Sequence, residues 1–287
     1  MKRLLLSIVT VLCLMTASAA DKGRLIEETL LSGGIERSYK IYIPDDMASH
    51  RSLVVVLHGY GGSADPARFD MNRAADRYGF AVCYPQGERD GRGKRCWNVG
   101  YPFQDDMTVD DVAFLCDLAG HLHQRYDLSP ENTFCTGLSN GGEMCYLLAY
   151  TCGDVFRAVA PIAGLTLESM YRTLSATRAV PLMEVHGTDD RTSLWEGDPD
   201  NSGGWGAYLS VPVAVGYWVA ADRCTHSLRD TLPSRSGRVI VRERYVGGTD
   251  GAEVWLYRIE GGKHSWGEAD MDTPEAIWEF FSKFVTE

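Results

Sequence analysis

Beyond its first twenty residues the 287-residue sequence has no apolar run long enough to cross a bilayer, no internal repeat, no low-complexity tract and no Pro- or Ser-rich linker. These absences exclude a polytopic membrane protein, a solenoid and a string of tethered modules, and predict a single domain over residues 21–287. Positive charge is also scarce. Lys and Arg number 28 against 39 Asp and Glu, a net charge of −11. Phosphate backbones need a basic surface, so nucleic acid is not an expected partner. No G-K-[ST] or G-x-G-x-x-G follows the one glycine-rich strand end, His58-Gly59-Tyr60-Gly61-Gly62, which argues against a phosphate-binding loop. Histidines in metal-ligand spacing are lacking too: His121 and His123 fall two apart on a predicted helix and point to different faces. No metal or cofactor is expected.

What is present begins with residues 1–20, MKRLLLSIVTVLCLMTASAA. Two cations, an apolar run from Leu4 to Met15 and the small residues Ala17-Ser18-Ala19 make a secretory signal, cut after Ala19 or Ala20. The run is shorter than the roughly 20 residues of a spanning helix. The mature chain is therefore expected to be secreted or periplasmic, off the membrane, and a monomer. Removing Cys13 leaves seven cysteines in a compartment that permits disulfides, so at least one stays unpaired. Cys83 and Cys135 sit in apolar runs and read as core residues, whereas Cys152 and Cys224 at element ends are the better bridge candidates.

Arg24–Leu31 and Arg37–Ile43 flank Ser32-Gly33-Gly34 and read as a β-hairpin. Short apolar runs then follow at 53–57, 81–84, 133–137, 158–162, 181–185 and 254–259, with helical patterns at 67–78, 110–126, 141–150, 211–221 and 274–284. Runs with little alternation suit strands buried on both faces by crossover helices. The fold class is α/β: a mostly parallel sheet opened by an antiparallel hairpin, with helices on both faces. Two long stretches without pattern, 85–107 and 191–210, each follow a predicted strand, where open parallel sheets place their binding sites.

Gly137-Leu138-Ser139-Asn140-Gly141 lies between a strand and a helix, the context that gives G-x-S-x-G its meaning. A serine hydroxyl needs an imidazole to take its proton, and the imidazole needs a carboxylate to fix its tautomer. Both follow in order: His186-Gly187-Thr188-Asp189-Asp190 at a strand end, then His264 in a Gly-rich loop. Adjacent carboxylates in extended chain point to opposite sides, so only one of Asp189 and Asp190 can reach His264. Spacing selects Asp190, leaving Asp189 to solvent or Arg191. His58 and His186, which open His-Gly turns, are expected to brace loops. The oxyanion donors would be the N–H groups of Asn140, directly after the nucleophile, and of Tyr60, in the loop after the first parallel strand.

The segments LVVVLHGYGG, CWNVG with VDDVAFL, TGLSNGGEMCYLLA, HGTDD and GGKHSWG, in this order from Leu53 to Trp266, resemble the secreted esterases of the polyhydroxybutyrate depolymerase/feruloyl esterase group, carbohydrate esterase family one. The resemblance implies an α/β-hydrolase fold, secretion, metal independence and action on esters of plant cell-wall polysaccharide or a related polyester. By residue it implies Ser139 as nucleophile, Asp190 as acid, His264 as base, and Tyr60 and Asn140 as oxyanion donors. Feruloyl or acetyl esters of xylan, or small aryl esters, are the expected substrates. The alternatives are a polyester depolymerase and a non-catalytic polysaccharide-binding protein on the same fold.

Aromatics crowd the two long stretches and the His264 loop. Trp97, Tyr101, Trp195, Trp205, Tyr208 and Trp266 could stack on an aryl group or sugar ring, or simply pin irregular loops. Asp198-Pro199-Asp200-Asn201-Ser202-Gly203 opens like a calcium loop, but its twelfth position is Leu209, so it reads as a solvated acidic turn. Asp110 and Asp111 are expected to stabilise a helix N-terminus.

Because triad members act as a unit, Ser139→Ala should lower kcat on a simple aryl ester by roughly 10⁴-fold or more. Steady-state hydrolysis of p-nitrophenyl acetate checks this, and near-normal turnover by the variant would reject the nucleophile.

Overall fold

The fold was taken from a computed structural model that describes residues 22–287; the expected signal segment, residues 1–20, and Cys13 within it lie outside the described residues. An N-terminal hairpin, β1 (Gly23–Ser32) and β2 (Ile35–Pro44), lies along one edge of a ten-stranded sheet. The apolar runs give β3 (Leu53–Leu57) and β4 (Ala81–Pro85), then β7 (Thr133–Leu138), β8 (Ala158–Ile162), β9 (Leu182–Gly187) and β12 (Val254–Ile259). These six pair in parallel in the order β4-β3-β7-β8-β9-β12. Between β4 and β7, β5 (Glu88–Arg89) and β6 (Arg95–Cys96) make a separate two-stranded ribbon.

Side-chain alternation divides the core into two layers. Val55 and Leu57 pack with α2 (Asp111–Tyr126), α3 (Asn140–Thr151) and α5 (Val211–Ala221); Val54 and Val56 pack with α1 (Met71–Tyr78) and α6 (Thr273–Ser282). A short α4 (Glu168–Thr173) follows β8.

Three features differ from the sequence expectation. The first helix starts at Met71 rather than near residue 67, because Pro66–Arg68 forms a 3₁₀ turn closed by Asp65, and Asp70 at φ 54° breaks the run. At the far edge β10 (His226–Leu232) and β11 (Ile240–Val246) add a second antiparallel hairpin beside β12. Among the cysteines, Cys83 and Cys135 are fully buried as expected. Cys152 meets Cys116 of α2 at 3.0 Å between sulfurs, whereas Cys224 Sγ donates weakly to Ala252 O at 3.9 Å and is free of any disulfide.

One buried ion pair fastens the hairpin to the site-bearing half of the molecule. Arg37 donates to Asp111 at 2.7 Å, while the other Asp111 oxygen accepts from the N–H of Asn98 in the 85–107 loop. Asp111 thus does more than face a helix terminus; Asp110 caps α2 through Ala113. Burial pushes the Asp111 carboxyl up, opposed by the Arg37 charge. Arg37→Leu strands that carboxylate and should cost about 3–5 kcal/mol. Urea unfolding at neutral pH would register the loss, and a change under about 1 kcal/mol would contradict it.

Candidate active site

Ser139 sits at the turn from β7 into α3 with φ 55° and ψ −122°, a conformation that side-chain-bearing residues avoid. The turn closes only because its neighbours lack side chains. A Cβ on Gly137 would meet the Gly141 backbone at 2.6 Å, and one on Gly141 would meet Leu57 O at 2.5 Å. The strained residue is held by Ser139 N–H to Ile162 O at 2.8 Å and Glu143 N–H to Ser139 O at 2.9 Å. The half-buried Ser139 faces a cavity of about 340 Å³ that His264 also lines, together with Tyr60, Arg68 and Phe69.

His264 Nδ1 lies 2.7 Å from Asp190 Oδ2. The other Asp190 oxygen accepts from the N–H groups of Thr192 and Ser193, at 2.8 and 2.9 Å. Burial raises the Asp190 pKa, but the His264 hydrogen bond and charge, His186 and the Thr192 N–H outweigh it, holding the carboxyl below its usual range. Asp189 makes a loose pair with exposed Arg191 at 3.5 Å and is itself half-buried.

Two backbone N–H groups in the segments beside Ser139 have no partner among the described residues. Asn140 opens α3, where an N–H has no partner within the helix. In the 58–62 loop the N–H groups of Gly61 and Gly62 are taken by Arg95 O and Gly59 O, whereas that of Tyr60 has no acceptor among the described residues. The loop presses against the nucleophile, since a Cβ on Gly59 would lie 3.4 Å from Ser139 Cβ.

The aromatic expectation needs correction. Trp97, Tyr101, Tyr208 and Trp266 are all at most 3% exposed and leave almost no face for a ligand. Trp97 instead joins the 58–62 loop to the start of α3. Its indole N–H donates to His58 O at 2.9 Å, and its backbone N–H and C=O are held by the Asn140 carboxamide at 2.7 and 3.1 Å. Tyr101 donates to buried Glu143, and the Tyr208 hydroxyl accepts from Leu194 N–H. Trp195 lies away from the cavity beside Val215 and Tyr245. Trp205 is half-buried in a cluster with Tyr60, Tyr101 and Phe103, at 5.4–5.8 Å between ring centres. None of the six lines the Ser139 cavity; Tyr60 and Phe69 do. Asp198 is a buried turn carboxylate, its oxygens taken by Ser202 and by the N–H of Gly203, not a solvated one.

Sequence reasoning missed a polar layer behind the acid. His186 Nδ1 contacts Glu184 Oε1 at 2.8 Å and Nε2 contacts Ser193 O at 2.8 Å, so the imidazole faces an acceptor at each nitrogen. Burial disfavours its charge, yet the Glu184 hydrogen bond and charge prevail and raise its pKa. His186 Nε2 is 3.6 Å from Asp190 Oδ2, so the imidazole lies directly behind that carboxylate. The signal was a lone Glu184 inside an otherwise apolar strand. His58, by contrast, accepts at Nε2 from Gly87 N–H and Gln86 and is left to donate from Nδ1 to Gly59 O. Burial keeps it neutral, its pKa lowered to about 4.

A six-stranded parallel core flanked by helices, with a strained serine after β7, an acid after β9 and a histidine after β12, is an α/β-hydrolase. The acetyl xylan esterase of Aspergillus awamori has the same fold, with a TM-score of 0.60 at 14% identity, covering 90% of this chain and 99% of that one. The chain belongs to the esterase PHB depolymerase family, which residues 37–202 match, and so to the carboxylic ester hydrolases. NocK of Nocardia uniformis subsp. tsuyamanensis is 29% identical over 266 residues, 86% of this chain and 75% of its own. Feruloyl esterase B of Neurospora crassa is 29% identical over 144 residues, 49% of this chain. The chain spans about half the length of that enzyme and less than half of several other curated relatives.

A carboxylate that holds the imidazole acts mainly in the transition state. Asp190→Asn should therefore cut kcat on an aryl ester by roughly 10⁴-fold with little change in KM, and Asp189→Asn should stay within about threefold. The reverse ranking would reassign the acid.

Proposed function

We propose that the protein is an exported serine esterase, residues 21–287 forming its one domain, that hydrolyses feruloyl or acetyl esters on xylan-type polysaccharide. The observation that carries this reading is the 2.7 Å contact of His264 with buried Asp190, on a histidine that shares a cavity with Ser139. Ser139 Oγ attacks the ester carbonyl while His264 Nε2 takes its proton, and Asp190 balances the imidazolium. The oxyanion is met by the N–H groups of Tyr60 and Asn140, each worth about 2.7–4 kcal/mol in comparable sites. His264 then returns the proton to the departing alcohol. Water, deprotonated by the same histidine, cleaves the acyl-enzyme and restores Ser139.

The substrate class is favoured by the names of relatives and of the fold neighbour, feruloyl esterase B and acetyl xylan esterase. The half-buried Tyr60 ring in the cavity adds apolar surface for a flat acyl group. Side-by-side turnover of methyl ferulate, acetylated xylan and hydroxybutyrate oligomers tests the reading. The first two should be cleaved at least tenfold faster than the third. Preference for the oligomers would replace this reading with a polyester depolymerase. Failure of a fluorophosphonate to label Ser139 in folded protein would point to a binding protein without catalysis.

A further inference from the structure

In acyl transfer the leaving alcohol takes its proton from the same histidine that activated the nucleophile. The alcohol half of an ester bound here must therefore lie on the His264 side of Ser139. The cavity that His264 lines does not end there. Asp65, Arg68 and Phe69 line both the Ser139 cavity and a second groove of about 420 Å³, which runs past Trp266, two residues beyond His264, to Arg235 and Asp272. We propose that this groove is the subsite for the alcohol half of the substrate and that it takes a neutral polyhydroxylated sugar chain.

The lining chooses among ligands. Its cations are matched by carboxylates: Arg235 lies 2.9 Å from Asp272, Arg73 lies 2.6 Å from Asp272 and 2.8 Å from Asp70, and Arg68 lies 3.7 Å from Glu268. An anionic chain would find no excess positive charge. A polyester chain carries only acceptors along its length and could engage the arginines of these pairs but not their carboxylates. Sugar hydroxyls both donate and accept, which fits paired charges of alternating sign. Trp266 adds a buried indole N–H with no partner among the described residues. Its ring meets Phe69 edge-on at 5.0 Å and, like Phe69, is almost wholly enclosed, so the groove offers a sugar polar rather than stacking contacts.

This proposal rests on the serine esterase reading, so the test separates the two. Hydrolysis of p-nitrophenyl acetate by the whole mature chain is measured with unesterified xylohexaose or a hydroxybutyrate trimer as inhibitor. The comparison is between the native protein and the double variant Arg235→Ala, Glu268→Ala. Xylohexaose should inhibit the native protein competitively, and the ratio of its inhibition constant to KM should rise about fivefold or more in the variant, as expected for two lost polar contacts. An unchanged ratio, no inhibition, or stronger inhibition by the trimer would overturn the groove assignment. Absence of hydrolysis would instead sink the esterase reading. Titrating xylohexaose by tryptophan fluorescence in both proteins then still decides the groove.

A separate observation carries a second inference. The Cys116 and Cys152 sulfurs, 36 residues apart in sequence, lie 3.0 Å apart, inside van der Waals contact, and neither is fully enclosed. We infer that these two close as a disulfide that staples α2 to α3. The hydrogen bond from Cys116 lowers the Cys152 thiol against the effect of burial, which favours it as the attacking sulfur. The Cys152 thiolate attacks a small-molecule or oxidoreductase disulfide and expels one thiolate. Cys116, losing its proton, then attacks the mixed disulfide and expels the second, so the oxidant is reduced to two thiols. Incubation of the folded chain with oxidised glutathione should give an intact mass lower by two hydrogens, a 116–152 cross-link in the peptide map and a Tm higher by on the order of 10 °C. Cys116→Ser should show none of these. Both cysteines remaining open to alkylation, or a link between Cys135 and Cys145, whose sulfurs are 3.7 Å apart, would overturn the assignment.

Discussion

The site depends on one unfavourable backbone conformation. Ser139 at φ 55° costs of order 1–3 kcal/mol, and it persists only because the surrounding chain leaves no alternative. Gly137 and Gly141 let β7, α3 and the end of β3 approach to distances that a single methyl group would forbid, and two backbone hydrogen bonds hold the turn from either side. From this follow the start of α3, the free N–H of Asn140 and the exposure of the serine above the sheet.

Trp97 shows how the rest is tied to that turn. A residue in a loop without regular structure holds the backbone at His58 and the side chain of Asn140 together, so the 58–62 loop and the start of α3 share one rigid anchor. Behind Asp190, Glu184 and His186 form a buried pair that Tyr146 completes, and Glu143 lies nearby with its pKa raised by burial and by the charges of Glu184 and Asp190. Substituting one member of this layer would change the electrostatics felt by the acid as well as packing.

The parallel core was legible because strands buried on both faces leave unbroken apolar runs such as LVVVL, and because serine, acid and histidine fall at strand ends in a readable order. The β10–β11 hairpin was not: HSLRDTL packs neither face fully and has no apolar stripe to mark it. For the aromatics the obstacle was direction. A strand or helix has a period that assigns each side chain a face, whereas residues 85–107 and 191–210 have none. Trp97 and Tyr208 therefore read as available when they are enclosed. Phe69 was hidden for the opposite reason, since it lies at a break between two helical turns rather than in either loop.

The hairpins at the two ends of the sheet govern what the molecule does when crowded. A sheet edge carries a row of unsatisfied backbone groups that can template another strand. Here β1 presents exposed Arg24 and Glu27, and β10 presents Arg229 with Asp230 locked to Arg242 at 2.6 Å. Any strand arriving at either border would have to strip water from these charges before forming its first backbone hydrogen bond. The apolar parallel strands are thereby sealed between two charged margins, and lateral growth of the sheet into fibrils is opposed at both ends.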